Sequence, residues 1–177
     1  MDRTRRFEAA ALPHLNSAYN LARWLVRDEH NAHDVVQEAY LRAFRYFDGF
    51  KGGDARPWLM GIVRNACFSW MREQGVAKDQ LEFDEERDSA ALDPSFDQVD
   101  GNPETLLLQK MEQGRLNAAI QQLPVVFREV LVLRALEEMS YEEIAQIAGL
   151  PIGTVMSRLS RARRLLRAAL SEQVSKD

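Results

Sequence analysis

The sequence predicts an all-α protein: two small helical domains joined by an acidic flexible linker, the second domain carrying a helix-turn-helix. Three observations lead there. Apolar residues recur at three- and four-residue spacing on both sides of residues 76–104. Nowhere does a Val/Ile/Thr-rich alternation bounded by turn residues suggest a strand. Between the two periodic regions, VAKDQLEFDEERDSAALDPSFDQVDGNPE has little periodicity and holds Pro94, Gly101 and Pro103, a composition that buries too little apolar surface to offset its conformational entropy. The expected boundaries are 1–75, 76–104 and 105–177.

Taken in order, a first helix is expected from Phe7 to Val26. In the next, Val36, Tyr40, Ala43, Phe44 and Phe47 repeat at helical spacing. A third follows Pro57, which a helix tolerates in its first turn, and carries Trp58, Leu59, Ile62, Ala66 and Trp70. After the linker, helices are expected over Leu106–Gln122 and from Pro124 to about Ala135.

Residues 140–170, SYEEIAQIAGLPIGTVMSRLSRARRLLRAAL, then read as two helices around a tight turn. Ser140 and Glu143 have capping-box spacing. Gly149 stands where a helix end favours φ > 0, and Pro151 discourages continuation. This is the spacing of a helix-turn-helix, whose second helix enters the DNA major groove. That second helix carries Arg158, Arg161, Arg163, Arg164 and Arg167, and apart from Glu172 no acid follows Glu143 before the last residue. The alternative is an amphipathic hairpin with a solvated basic face, since cations suit helix C-termini.

A net charge of −4 hides a segregation. Residues 1–75 hold 11 basic and 9 acidic side chains, residues 76–104 hold 2 and 10, and residues 105–177 hold 10 and 8. The flanks are each slightly basic and the linker carries the acidity. The single cysteine, Cys67, excludes intrachain disulfides and fits a reducing compartment. Its neighbours Ala66 and Phe68 suit a buried small hydrophobe. No apolar run approaches the roughly 20 residues that span a bilayer, and MDRTRRFEAAALPHL lacks the apolar core of a signal peptide. A soluble, cytoplasmic protein without membrane insertion is expected.

Asp34, Gln37 and Glu38 share one helix face, with Glu38–Arg42 at favourable spacing for an ion pair. From the pattern alone this is either a solvated face or an acidic docking surface. FKGGDARPW (50–58) is a Gly-rich loop, but it lacks the GxxxxGK[ST] of a nucleotide phosphate loop. Beyond it lie Arg64, Asn65, Phe68, Trp70 and Arg72. Arginine, aromatic and amide together suit an unstacked base, supplying charge, a stacking surface and base-edge hydrogen bonds. The competing reading makes Trp58, Phe68 and Trp70 core. His30 and His33 have no third ligand nearby in sequence, so no metal site is expected. No nucleophile–base–orienter set appears; neither catalysis nor a cofactor is expected.

Three separated motifs give the chain a resemblance to bacterial RNA polymerase sigma factors of the extracytoplasmic-function class. DVVQEAYLRAFRYFDGF (34–50) resembles the family's core-polymerase-binding helix, and PWLMGIVRNACFSWMRE (57–73) its −10 recognition segment. LPVVFREVLVLRALEEMSYEEIAQIAGLPIGTVMSRLSRARRLL (123–166) resembles its C-terminal domain. The resemblance implies a non-catalytic subunit that binds core polymerase, recognises −35 and −10 promoter elements and helps melt the −10 region. Asp34, Gln37, Glu38 and Arg42 would dock on the clamp helices of the largest polymerase subunit, and the flap of the second-largest subunit would be a further contact. Lys51, Arg56, Arg64, Asn65 and Phe68 would meet the −10 strand, with Asn65 and the 50–57 loop holding a flipped base. Thr154, Met156, Ser157, Arg158, Ser160, Arg161 and Arg164 would meet −35 duplex DNA. The family often has a basic residue where Met156 stands and sometimes an aromatic where Ser160 stands, departures that bear on the preferred −35 sequence. An anti-sigma factor is an expected partner.

The linker fits this reading. Two elements about 17 base pairs apart hold their readers roughly 60 Å from one another. A 29-residue tether can reach about 90–100 Å, yet as a free coil averages only about 30 Å. The resemblance implies that it is drawn through the polymerase along a basic track as an RNA mimic. A conventional helix-turn-helix regulator acting without polymerase is the alternative function, and an adaptor that binds only proteins is a third. The acidic face at 34–38 distinguishes the first from the second.

Overall fold

The computed structural model describes residues 2–76 and 113–176, and every regular element among them is helical. The expected linker beyond Val76, and the expected helical residues 106–112, lie outside the described residues. Helix α1 (Arg3–Ala11) starts on Asp2, whose carboxylate accepts from the Arg5 amide at 2.8 Å. The single helix expected over Phe7–Val26 is broken by a 3₁₀ turn, Leu12–His14, before α2 (Leu15–Val26). Pro13 explains the break, because it has no N–H for the helical ladder and crowds the preceding turn. Helix α3 (Glu29–Arg45) is capped by Asp28, and α4 (Ala55–Glu73) by Asp54, whose carboxylate accepts from the Arg56 amide at 3.0 Å. Pro57 lies in the first turn of α4, as expected.

Helices α2, α3 and α4 pack on one another around Leu21, Leu25, Val35, Met60, Val63 and Cys67, all buried. Phe7 closes a smaller core with Ala43 and Leu59, and its ring meets Phe44 and Phe47 edge-on at 5.2 and 5.4 Å.

In the second unit, α5 (Gln113–Gln122) leads to α6 (Val125–Leu131), a π-type turn (Val132–Leu136), α7 (Tyr141–Ala148) and α8 (Ile152–Lys176). The helix expected from Pro124 to about Ala135 widens at Val132. The Glu137 amide reaches back five residues to the Val132 carbonyl at 3.1 Å. Glu138 is left-handed at φ 55°; Glu137 is buried and Glu138 is exposed. The helix-turn-helix has the expected local chemistry. The Glu143 amide donates to Ser140 Oγ at 3.1 Å and the Ser140 amide to Glu143 Oε1 at 2.9 Å. Gly149 closes α7 at φ 69°.

The two units do not stand apart. Leu25, Met60 and Cys67 of the first share one continuous core with Val126, Leu133, Ile144 and Leu159 of the second. Helix α4 packs on α7, and α2 on α6. Where α4 passes α7, a Cβ on Gly61 would lie 3.7 Å from the Ile147 carbonyl oxygen and 3.8 Å from Ile147 Cα. That is ordinary van der Waals distance, so the approach of α7 leaves room for an alanine at this position.

Candidate polymerase and nucleic-acid interfaces

Asp34, Gln37, Glu38 and Leu41 are exposed in a row on α3, while Ala32, Val35, Val36, Ala39 and Ala43 fill its buried side. The carboxylate of Glu38 pairs with half-buried Arg42 at 3.1 Å, and that of Asp34 with His30 at 3.6 Å. Beside the row runs an apolar groove of about 660 Å³ lined by Leu12, Leu15, Val36, Tyr40, Leu41 and Phe44, with Gln37 at its edge. Leu41 is 64% exposed. The exposed acids thus border an unfilled apolar groove. His33 stacks on Tyr19 at 4.4 Å, and no group of three or more His, Cys, Asp or Glu side chains fit for a metal occurs among the described residues.

The α4 face is organised differently. Lys51 is exposed on the 50–54 loop, where Gly52 and Gly53 take φ values of 89° and 81° that favour glycine. Phe50 and Trp58 pack at 4.9 Å across that loop. Arg56 Nη2 donates to the Glu137 carbonyl at 2.7 Å and to its carboxylate at 2.8 Å. Arg64 Nε donates to both Glu129 carboxylate oxygens, at 3.2 and 3.3 Å. The Arg64 guanidinium lies 3.7 Å over the Phe68 ring and also donates to Asn65 Oδ1 at 3.3 Å. In this arrangement Phe68 is buried and covered by Arg64. Asn65 remains exposed at the rim of a cleft of about 250 Å³ between α4 and α7.

On α8, Met156 is exposed, and Thr154, Ser157, Arg161 and Arg164 are half-buried. Ser157 Oγ donates to the Gly153 carbonyl at 3.0 Å. Arg158 and Ser160 face inward and are buried, so in this arrangement neither presents a reading edge. Arg158 lies near enough to Glu129, an acid distant in sequence, for its charge to lower that carboxyl's pKa.

Glu129, Glu137 and Arg128 escaped the sequence reading. Glu129 is wholly buried; burial pushes its carboxyl upward, while Arg64 first, then Arg158 and Arg128, oppose that rise. Arg128 joins three chain segments, donating to the carbonyls of Leu123 at 2.7 Å, Leu25 at 3.1 Å and Gln121 at 3.2 Å. It thus satisfies carbonyls at the C-terminal ends of α2 and α5. Burial first and the Arg27 charge second bring its guanidinium down to about 9, still protonated at neutral pH. Burial, with Glu129 nearby, pushes the Cys67 thiol up to about 12, so it is an unreactive core residue. The one signal for Arg128 and Glu129 was their adjacency inside the apolar run VVFREVLVL; Glu137 had none.

One unit thus carries a capped helix-turn-helix and the other an acidic face beside an apolar groove. Residues 11–76 match the family model for Sigma-70 region 2, and residues 113–166 that for Sigma-70, region 4. The chain belongs to the sigma-70 family, in its extracytoplasmic-function (ECF) class.

It is 33% identical over 165 residues to ECF RNA polymerase sigma factor SigE of Mycolicibacterium smegmatis, covering 92% of this chain and 60% of that relative. It therefore spans less than two thirds of that protein's length. It is 33% identical over 174 residues to the RNA polymerase sigma-H factor of Pseudomonas aeruginosa, with 94% and 86% covered. With the ECF RNA polymerase sigma-E factor of Escherichia coli it shares 36% over 135 residues, 75% and 70% of the two chains. Among solved structures, the sigma factor RpoE in complex with the anti-sigma factor NepR from Bartonella quintana aligns with a TM-score of 0.68 at 28% identity, covering 94% of this chain and 98% of that one. CnrH in complex with the cytosolic domain of CnrY aligns at 0.63 and 25%, covering 98% and 90%.

Replacing Arg128 by Met should destabilise the chain by about 2–4 kcal/mol, because buried carbonyls lose their donor. Arg128→Lys should lose less. Urea unfolding of the two variants against the parent measures both.

Proposed function

We propose that this chain is a promoter-specificity subunit: it binds core RNA polymerase, recognises −35 and −10 promoter elements and helps open the −10 region. The observation that carries the reading is the pairing of region 2 and region 4 matches in this order, with the α3 acids exposed beside an apolar groove. The chain catalyses nothing itself; nucleotide addition belongs to the polymerase. It works in the cytoplasm, and no described helix is long and apolar enough to cross a membrane.

Asp34, Gln37, Glu38 and Arg42 form the contact to the clamp helices, with Leu41 as its apolar centre. Lys51, Arg56, Arg64 and Asn65 serve the −10 strand. On the recognition helix, Met156, Ser157, Arg161 and Arg164 are the residues whose exposure suits −35 reading, with Thr154 at its start. The domain limits, residues 1–75 for core and −10 binding and 105–177 for −35 binding, follow from the same reading. An anti-sigma factor is a further partner: RpoE and CnrH, to which the chain is similar, were each solved with a partner, NepR and the cytosolic domain of CnrY.

Asp34→Ala combined with Glu38→Ala should abolish assembly with core polymerase in gel filtration while leaving the helical circular dichroism unchanged. Full retention of assembly contradicts the docking face. In the assembled holoenzyme, Arg161→Ala should weaken binding to a −35 duplex by about 1–3 kcal/mol if the side chain reads a base edge. A loss that is equal across sequences and shrinks as salt rises makes it a phosphate contact instead.

A further inference from the structure

A further cavity of about 330 Å³ lies at the seam between the units and shares no lining residue with the α3 groove. Its apolar wall comes from Leu25 and Val26 at the end of α2, Trp70 and Met71 near the end of α4, and Leu123 and Val125 where α5 meets α6. The same lining holds two cations, Arg27 and Arg128, and no carboxylate among the described residues. An apolar cavity of this size with a few placed polar groups is the usual form of a small-molecule site.

Neither arginine has an ion-pair partner among the described residues. Arg27 is exposed, and the adjacent Asp28 carboxylate is turned to the Asn31 amide at 2.8 Å. Arg128 is only 2% exposed; its Nη1 and Nη2 hold carbonyls, while its buried Nε has no hydrogen-bond partner among the described residues. Glu129, next to it in sequence, is engaged by Arg64 at 3.2 Å. The charge of Arg27 is near enough to depress the Arg128 guanidinium, second only to burial. Two like charges at one cavity repel, and an anion placed there relieves the repulsion.

We propose that this cavity binds an amphipathic monoanion, a carboxylate head on an apolar tail, with Arg27 and Arg128 meeting the head. A ligand with a second charge, or one polar throughout, would bury groups against Trp70, Met71 and Leu123 with nothing there to pair them. At about 30 Å³ per water-sized group the cavity takes about ten heavy atoms, the size of octanoate. The carboxylate head forms charge-assisted hydrogen bonds that the uncharged octanol cannot match. Because the walls come from both units, a molecule held there stabilises the pair by mass action.

Calorimetric titration of the free full-length chain with octanoate tests this, with octanol as the uncharged tail and acetate as the head alone. Expected is saturable binding of one octanoate per chain, about tenfold tighter than octanol, the worth of one charge-assisted hydrogen bond. Acetate should not saturate. Arg27→Gln should remove the preference for octanoate over octanol. Val76→Trp, which adds bulk at a half-buried lining position, should abolish binding of both. Leu15→Gln, in the α3 groove, should change nothing. With methionine methyl groups isotope-labelled, octanoate should move the NMR signal of Met71 and leave that of exposed Met156 in place. No saturable binding, equal affinity for octanol and octanoate, or loss through Leu15→Gln overturns the proposal. So does a preference for octanoate that survives Arg27→Gln. Should Val76→Trp lose its helical circular dichroism, the Met71 signal decides, and a stationary one overturns the site.

Discussion

A carboxylate denied all contact with water has to be met by positive charge or give up its own, and Glu129 is surrounded by Arg64, Arg128 and Arg158. These come from α4, α6 and α8, so the site exists only when both units are in place. Burying such charges costs several kcal/mol per ion, recovered only if the geometry is complete. Loss of one arginine leaves the rest worse than an apolar core would be. Arg128 adds a second tie of the same kind, holding the carbonyl end of α2 to the chain around α5 and α6. The contact between the units thus combines the ion pairs Arg64–Glu129 and Arg56–Glu137 with the apolar core that joins them.

That property suits a subunit with two working shapes. Apolar contact alone would favour closure without regard to DNA, because it has no chemistry in common with a phosphate. Ion pairs do have it: the guanidinium groups that bind Glu129 and Glu137 are the groups a nucleic-acid backbone would seek. The contact between the units draws on Arg56 and Arg64, while the α3 face takes no part in it. The acidic face and the apolar groove are exposed in the same form in which Arg56 and Arg64 are paired with carboxylates.

How much of this was legible in the sequence depended on the range of the interaction. Local chemistry was readable: the Ser140–Glu143 box, the left-handed Gly149, Pro57 in a first turn and the Glu38–Arg42 pair all involve residues within four positions of one another. So was the face of α3 that carries Asp34, Gln37 and Glu38, because helical periodicity alone sets it. Pro13 was a readable break that the apolar periodicity of Phe7–Val26 concealed. The widened turn at Val132 had no comparable marker. Contacts across the chain were not readable. Phe68 stood in a setting that suited base stacking, and only the position of Arg64 over its ring shows that it is covered. Arg158 had no acid nearby in sequence and has one in space, because α6 carries Glu129 to it. Ser160 likewise fell inside a recognition-helix pattern and is buried by the fold.

The central claim is that the units are in contact in the free chain and separate on the promoter. It is tested most directly by energy transfer between dyes on cysteines placed at Glu73 and Glu142, both exposed, in a Cys67→Ala background. The account predicts high transfer in the free chain and a clear fall once core polymerase and promoter DNA are bound. Low transfer in the free chain, or transfer that stays high in a transcribing complex, would contradict it.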